Sequence, residues 1–186
     1  MGDKYLPGLP VIIKGCIEGN NKCYEILYKS YYGYIMGIAL RYVINKELAE
    51  EITNDCFIKV FSNIQKYDKE KSFKTWIRRI AINTCIDKLR RERRFLSLNE
   101  GKIEEEALTD EPLFQDIDFE LILLLLKRLP ILQRLVFNLY EIEGYSHFEI
   151  SGQLNIKENS SRTYLTRAKQ KLKRDYQQLN FKNVQL

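Results

Sequence analysis

Residues 72–94, SFKTWIRRIAINTCIDKLRRERR, place aromatic, amide and guanidinium groups in one helix-like run. Trp76, Asn83 and Arg90 are spaced seven residues apart, and with Arg79 they fall within about 60° of one another around a 3.6-residue helix. Such a stripe could stack on a base, hydrogen-bond a base edge and contact phosphates, as single-stranded nucleic acid requires. A lone tryptophan is equally often a core residue, and that alternative stays open for Trp76.

The charges of the chain are segregated along it, although the net charge is only +5. Residues 71–94 carry nine Lys/Arg against two acids, a local charge of +7, and Arg90 and Arg91 belong to this block. Residues 157–174 carry seven basic residues against one acid, or +6, whereas residues 97–120 carry one lysine against nine acids, or −8. A charge run is usually only a solvated face, but two basic blocks in patterned helices favour a polyanionic partner.

The segment YSHFEISGQLNIKENSSRTYLTRAKQKL has the pattern of a helix-turn-helix, with Asn155 in the turn. The second helix has an apolar stripe at Ser161, Leu165, Ala168 and Leu172. Its other face carries only side chains that can hydrogen-bond: Asn159, Arg162, Thr163, Thr166 and Arg167. This face predicts a recognition helix for the major groove, in which Arg162 and Arg167 are candidates for guanine or phosphate.

A third helix, predicted over residues 46–65 with Asn45 as its N-cap, has two distinct faces. The predicted core face consists of Ala49, Ile52, Cys56, Phe57, Val60, Phe61 and Ile64. The opposite face gathers acidic and amide groups around one aliphatic side chain: Glu47, Glu51, Asn54, Asp55 and Ile58. This arrangement predicts a docking face for a basic protein, although an ordinary acidic surface with one stray aliphatic residue remains the alternative.

Apolar residues recur at helical spacing almost throughout, and alternating strand-like stretches are missing. We therefore predict an all-α protein with two small helical domains. The first domain is expected at residues 1–96 and the second at residues 117–186. The acidic stretch 97–116, with Gly101 and Pro112, is predicted to be a flexible linker.

Several function classes are disfavoured by composition. The four cysteines show no C-x-x-C spacing, and the single His147 has no second histidine with which to share a metal. No glycine-rich phosphate loop or Ser/His/Asp set is present, so no catalytic residues, cofactor or metal are expected. The longest apolar run, residues 121–126, is far shorter than the roughly 20 residues of a membrane helix. A cytosolic location is expected.

Together these motifs resemble the bacterial RNA polymerase sigma factors of the extracytoplasmic function (ECF) group, which keep only region two and region four. ELAEEITNDCFIKVF resembles the region-two helix that docks on the clamp helices of the largest polymerase subunit. SFKTWIRRIAINTCIDKLRR resembles the segment that captures unstacked bases of the minus-ten element, and residues 66–71 match the loop that forms the pocket for a flipped base. The resemblance assigns minus-ten binding to Tyr67, Phe73, Trp76, Arg79, Asn83, Arg90 and Arg91.

Residues 129–172 resemble region four, which reads the minus-thirty-five element. The sequence departs from the usual pattern at Asn155, where glycine is common, at Lys157, where proline is common, and at Leu48, where an acid is common. The resemblance implies a non-catalytic specificity subunit whose partners are core RNA polymerase, promoter DNA and an anti-sigma factor. In the family, the linker runs through the polymerase toward the RNA exit path.

Two rival interpretations predict different behaviour. A conventional DNA-binding regulator that dimerises through its N-terminal helices would bind a palindromic duplex by itself, with half-sites about one helical turn apart. A nucleic-acid enzyme would need acidic metal ligands among the basic residues that hold the substrate. The acids of this chain instead lie on the predicted docking face and in the linker, which argues against an enzyme.

Overall fold

The computed structural model describes residues 8–98 and 117–183, with side chains described for 8–91 and 119–179. All regular elements in these ranges are helical, so the predicted all-α class is confirmed. The chain forms two compact units, residues 1–93 and 94–186. Within the described ranges, no helix combines the length and apolar character needed to span a membrane.

From residue 8 onward, the first unit forms four α-helices and a short 3-10 turn, and the fourth helix continues five residues past residue 93. The helices are α1 (Leu9–Ile17), α2 (Asn21–Val43), α3 (Lys46–Asn63) and α4 (Phe73–Leu98), and the 3-10 turn is Ile64–Lys66. Pro10 lies in the first turn of α1. A backbone N–H at this position would have no acceptor within the helix, so the missing N–H of proline costs no hydrogen bond. The Asn20 side chain caps α2 by accepting from the N–H groups of Lys22 and Cys23.

Only Ile44 and Asn45 connect α2 to α3. Asn45 Oδ1 accepts a hydrogen bond from the N–H of Leu48 at 2.7 Å, which confirms the predicted N-cap. Ile44 has φ 57°, a left-handed conformation that a β-branched residue rarely adopts, while its N–H donates to the Leu40 carbonyl at 3.0 Å. The short connection turns the chain sharply and lays α3 back against α2.

The core of the first unit lies between α2, α3 and α4. Its fully buried side chains include Leu27, Ile35, Ile38, Leu40, Tyr42, Ile52, Val60, Ile77 and Ile82. The predicted core face of α3 is buried except at Phe61, which is half-buried and contacts Tyr24 edge-on. The apolar spacing in α3 therefore predicted its part of the core, because burial of one face fixes which residues of a helix must be apolar.

Between residues 117 and 183, the second unit forms four α-helices, and a π-helical segment lengthens one of them. The helices are α5 (Ile117–Lys127), α6 (Ile131–Phe137), α7 (His147–Leu154) and α8 (Glu158–Asn183), and the π segment Asn138–Ile142 continues α6. Pro130 precedes α6, and Gly144 has φ +76° in the turn before α7, as the sequence indicates. The π segment is not predicted by apolar spacing, because a one-residue widening of the helix leaves no clear sequence signal.

The helices α7 and α8 form the predicted helix-turn-helix. Asn155 has φ +52°, so an asparagine adopts the left-handed turn conformation for which glycine is most common. A capping box begins α7: the Ser146 hydroxyl accepts from the Glu149 N–H, and the Glu149 carboxylate accepts from the Ser146 N–H. Ile150, Leu165 and Ala168 are buried where α7 packs on α8.

The predicted linker lies mostly outside the described residues. The helix α4 continues to Leu98, two residues into the stretch 97–116 that the sequence assigns to the linker. Residues 99–116, including Gly101 and Pro112, fall outside the described ranges. The flexibility of this linker therefore stays a prediction. The domain limits at residues 96 and 117 therefore stay predictions.

Candidate nucleic-acid and docking interfaces

An aromatic cluster lies where α2, the loop after α3 and the start of α4 meet. Phe73 is at its centre, with ring centroids of Tyr31, Tyr67 and Trp76 at 5.3, 5.1 and 5.5 Å. Tyr67 and Trp76 also contact each other at 5.4 Å, and the Tyr67 hydroxyl donates to the Lys71 backbone carbonyl. This hydrogen bond ties the loop back on itself and holds the Tyr67 ring against the cluster.

One residue of the predicted minus-ten set, Phe73, lies inside this cluster. Phe73 is only 3% exposed, because the three surrounding rings cover it, so its ring has no free face for stacking on a base. Its position beneath Tyr67 and Trp76 makes it a support for those rings. Trp76 itself is half-buried, so it is neither a full core residue nor a free surface ring.

The polar stripe predicted on α4 is present. Arg79, Asn83, Arg90 and Arg91 are exposed, whereas the opposite sides of α4 are buried at Ile77, Ile82, Cys85, Ile86 and Leu89. The structure thus brings the half-buried rings of Tyr67 and Trp76 next to a row of amide and guanidinium groups. Such a surface offers stacking, hydrogen bonding and positive charge within one helix length.

The predicted docking face lies on the opposite side of α3 from the core. Glu47, Glu51 and Asn54 are exposed, Asp55 is half-buried, and the Ile58 side chain is 63% exposed. The Tyr28 hydroxyl donates to Asn54 Oδ1 at 3.0 Å, which fixes that amide beside α2. An exposed aliphatic side chain ringed by acids has the anatomy of a small protein-binding site.

An ion pair that the sequence did not indicate connects this face to α4. Lys88 Nζ contacts Glu51 Oε1, and the Lys88 side chain is only 24% exposed. A second pair, between Lys59 Nζ and Asp87 Oδ2 at 3.5 Å, joins the same two helices. Both pairs bridge residues far apart in sequence, so helical spacing could not reveal them.

The predicted recognition face of α8 is fully exposed. Its members are Asn159, Arg162, Thr163, Thr166 and Arg167. Arg162 Nη2 lies 2.6 Å from Glu158 Oε1, one turn earlier, and this pair holds the guanidinium at the N-terminal end of the helix. The hydroxyls of Thr163 and Thr166 donate to backbone carbonyls of the preceding turn at 2.9 and 3.1 Å. Their lone pairs remain as acceptors.

His147 lies behind the recognition face. Its Nδ1 and the Ser161 Oγ are 2.9 Å apart, and its ring stacks on Tyr140 with centroids 4.4 Å apart. Burial lowers the pKa of His147 below its ordinary value, the positive charge of Arg162 lowers it further, and Glu158 opposes the shift. The neutral imidazole therefore helps to join α7 to α8, a role that its sequence position alone does not indicate.

Three of the four cysteines are buried. All four are free thiols, and Cys16, Cys56 and Cys85 are buried. Burial raises the pKa of Cys16 to about 11 and that of Cys56 to about 12, which disfavours the reactive thiolate. In the part of the chain that the structure describes, no three His, Cys, Asp or Glu residues are grouped to hold a metal ion.

Two family models match this chain, in the order that the motifs predict. Sigma-70 region 2 matches residues 27–95, and Sigma-70 region 4 matches residues 119–172. The first match covers the docking face, the aromatic cluster and the polar stripe. The second match contains the helix-turn-helix and the recognition face.

Similar proteins agree with these matches. The ECF RNA polymerase sigma factor SigW of Bacillus subtilis (strain 168) is 28% identical, over 90% of this chain and 96% of its own length. SigM of the same organism is 27% identical, over 81% of this chain and 93% of its own length. The fold also resembles the sigma factor RpoE of Bartonella quintana, solved in complex with the anti-sigma factor NepR. That match has a TM-score of 0.55 and 16% identity, and covers 82% of this chain and 96% of the other.

The members of this family are non-catalytic specificity subunits, which bind core RNA polymerase and support promoter opening. The two rival interpretations, a dimeric regulator and a nucleic-acid enzyme, have no corresponding match among these relatives. The order of the regions and the near full-length relatives lead to one conclusion: this chain belongs to the ECF sigma factors, with regions 2 and 4, and directs RNA polymerase to promoters.

Proposed function

We propose that this sigma factor divides promoter recognition among three surfaces of its own. The face around Ile58 on α3 docks on core polymerase, the stripe on α4 traps the opened minus-ten strand, and the exposed face of α8 reads the minus-thirty-five element. The observation that carries the proposal is the exposure of all three polar faces on helices whose other sides are buried.

Docking relies on Glu47, Glu51, Asn54, Asp55 and Ile58. Acidic groups around an exposed aliphatic side chain suit a partner with basic residues around an apolar pocket. The pair between Lys88 and Glu51 supports this assignment in a specific way, since a half-buried lysine restricts the conformations of the carboxylate before the partner arrives. Preorganisation of this kind lowers the entropy that binding costs.

Minus-ten recognition relies on Tyr67, Trp76, Arg79, Asn83, Arg90 and Arg91, with Phe73 as the support beneath the rings. The half-buried rings of Tyr67 and Trp76 are suited to stacking on unpaired bases. Asn83 supplies an amide for a base edge, and the three arginines supply positive charge for phosphates. Single-stranded DNA is the favoured ligand because duplex DNA keeps its base faces stacked.

Minus-thirty-five recognition relies on Asn159, Arg162, Thr163, Thr166 and Arg167. These side chains lie on the first half of α8, the part of a recognition helix that reaches base edges in the major groove. Arginine pairs best with the O6 and N7 atoms of guanine, and asparagine pairs with adenine. We expect Arg162 and Arg167 to contribute most of the discrimination.

The energetics require a larger partner. Separating roughly ten base pairs at about 1.4 kcal/mol per step costs about 14 kcal/mol, whereas each base stacked on an aromatic side chain returns about 1–3 kcal/mol. A chain with a handful of exposed rings cannot open a promoter unaided. Core polymerase, with its own DNA contacts, must supply the difference.

We also propose an anti-sigma factor as a third partner, with a cytoplasmic site of action where polymerase meets DNA. The structure of Bartonella quintana RpoE in complex with NepR supports this partner by similarity.

The acidic stretch 97–116, which duplex DNA would repel, is proposed to occupy a basic channel of the polymerase. Linking the two DNA-binding units also raises the effective concentration of each at the promoter.

In vitro transcription of fragmented genomic DNA by purified core polymerase, with and without this chain, tests the function and identifies the targets. We expect new transcripts whose start sites share an unsymmetrical bipartite element. Separate migration of chain and core polymerase, together with no new transcripts, would overturn the proposal. Tight binding of the free chain to a palindromic duplex would instead favour a dimeric regulator.

A further inference from the structure

We propose that Tyr31 on α2 is a further nucleobase-contacting residue, which extends the single-strand surface beyond α4 and its preceding loop. The inference rests on the proposed minus-ten role of that surface. Tyr31 is not among the site residues that the sequence predicts, and it lies 42 residues before Phe73 in the chain. The contact with Phe73 connects it to the residues of α4.

Three aromatic rings from different parts of the chain share Phe73 as a neighbour. Tyr31 contacts it edge-on at 5.3 Å, Tyr67 contacts it at 90° and 5.1 Å, and Trp76 lies at 5.5 Å. Phe73 is buried, whereas each of the other three rings is half-buried and keeps part of its surface in solvent. We call these three partly exposed rings around Phe73, those of Tyr31, Tyr67 and Trp76, the aromatic rim.

The exposure of Tyr31 is unexpected for its position. It lies one helical turn from Leu27 and one turn from Ile35, and both of those side chains are fully buried on the same face of α2. A residue that only filled the core at this position would be buried like its neighbours. Tyr31 instead lies at the edge of the aromatic cluster and keeps part of its surface in solvent, where a ligand can reach it.

A lysine of α4 lies over the ring of Tyr34, which is one turn further along α2 than Tyr31. Lys74 Nζ, from the residue after Phe73, is 5.2 Å from the ring centroid of Tyr34. Tyr34 follows Tyr31 by three residues, so the positive charge lies on the same side of the unit as the aromatic rim. An aromatic ring beside a cation is the combination by which proteins bind a base and its phosphate in single-stranded DNA.

Binding of holoenzyme to a fork-junction probe tests the proposal. The probe is a duplex that continues into an unpaired minus-ten strand. Its sequence comes from a promoter found in the transcription assay. We expect Tyr31→Leu to weaken fork-junction binding about tenfold, and Tyr31→Phe, which keeps the ring, to stay within about twofold of wild type. The matched control is Tyr32→Leu, because Tyr32 is half-buried on the same helix but pairs with Tyr28. An equal effect of the two leucine variants would overturn the inference.

A crosslinking experiment avoids any effect of substitution on folding. Wild-type holoenzyme is irradiated with fork-junction probes that contain 5-iodouracil at successive positions of the unpaired strand, and the attached peptide is identified by mass spectrometry. Attachment at Tyr31 supports the proposal, whereas attachment confined to the loop and α4 contradicts it. If wild-type holoenzyme does not prefer the fork junction to duplex DNA, the proposed minus-ten role itself fails. If holoenzyme prefers the fork junction but Tyr31 contributes nothing to binding, only the inference about Tyr31 fails.

Discussion

Lys88 of α4 pairs with Glu51 of α3, so the helix proposed to hold the DNA strand supplies a counter-charge to the face proposed to dock on polymerase. Lys59 and Asp87 make a second connection between the same helices. Exposed pairs of this kind contribute little to stability, commonly under about 1 kcal/mol. Their main consequence here is geometric, because they fix the orientation of a carboxylate on a binding surface.

Charge reversal at Glu51 distinguishes a role of this carboxylate in docking from a role in holding α4 against α3. We expect Glu51→Lys to reduce co-purification with core polymerase about tenfold, equal to about 1.4 kcal/mol, because it places like charges on facing surfaces. The double variant Glu51→Lys with Lys88→Glu restores an ion pair of reversed polarity within the protein. A double variant that remains defective supports direct docking. Full recovery would mean that Glu51 serves only to hold α4.

Ile58 should be the apolar centre of the docking face. We expect Ile58→Ala to weaken core binding by about 1–2 kcal/mol, since truncation of a central apolar contact removes both packing and exclusion of water. Val11 is also highly exposed, on α1, and Val11→Ala provides the matched control. Titration of labelled chain with core polymerase measures both. Equal affinities for the two variants would place the docking centre elsewhere.

Asn83 should act after polymerase has bound. We expect Asn83→Ala to leave core affinity unchanged and to reduce open-complex formation, since the amide would contact a base only once the strands separate. The measurement is permanganate reactivity of promoter thymines. Asn21→Ala, an exposed asparagine at the start of α2, is the matched control. Wild-type reactivity in the Asn83 variant would contradict the assignment.

Arg162 and Arg167 should determine upstream affinity. Loss of each good base contact is expected to cost about 1–3 kcal/mol, so Arg162→Ala and Arg167→Ala should each weaken holoenzyme binding to a minus-thirty-five duplex. Lys173→Ala removes a positive charge further along α8, so it should weaken binding to specific and to non-specific DNA about equally. A footprint unchanged in both arginine variants would refute the proposed recognition face.

His147 should make the helix-turn-helix sensitive to acid. Its folded-state pKa is lowered, so the fold favours the neutral imidazole; this stabilisation is complete above the unfolded pKa of about 6.5 and is lost as pH falls through the folded value. Because His147 is the only histidine, its imidazole resonances in an NMR titration are unambiguous. We expect a midpoint below 6.5. A midpoint at or above 6.5 would show that burial and Arg162 do not control the ring.

Much of the site was predictable because its parts lie on single helices. The exposure of Asn83, Arg162 and Ile58 follows from 3.6-residue spacing, which sorts the side chains of one helix into a buried face and a solvent face. The caps at Asn45 and the left-handed turn at Asn155 are likewise local, since they depend on the backbone within a few residues.

Phe73 marks the limit of that reasoning, because the family resemblance assigns it to the DNA surface, whereas the structure buries it. Its burial depends on Tyr31, 42 residues earlier in the chain, and on how the loop carries Tyr67 over it. The contact of Lys88 with Glu51 likewise joins residues 37 positions apart.

The sequence by itself determined the all-α class, the order of the two regions, the faces of their helices and the family. These properties depend on residue types and spacing within one helix at a time. Only the tertiary structure decided that Tyr31 joins the aromatic rim, that Phe73 lies beneath it and that Lys88 restrains Glu51. Contacts between helices depend on how far each helix is rotated and shifted against its neighbour, and periodicity along one chain segment carries no information about those two quantities.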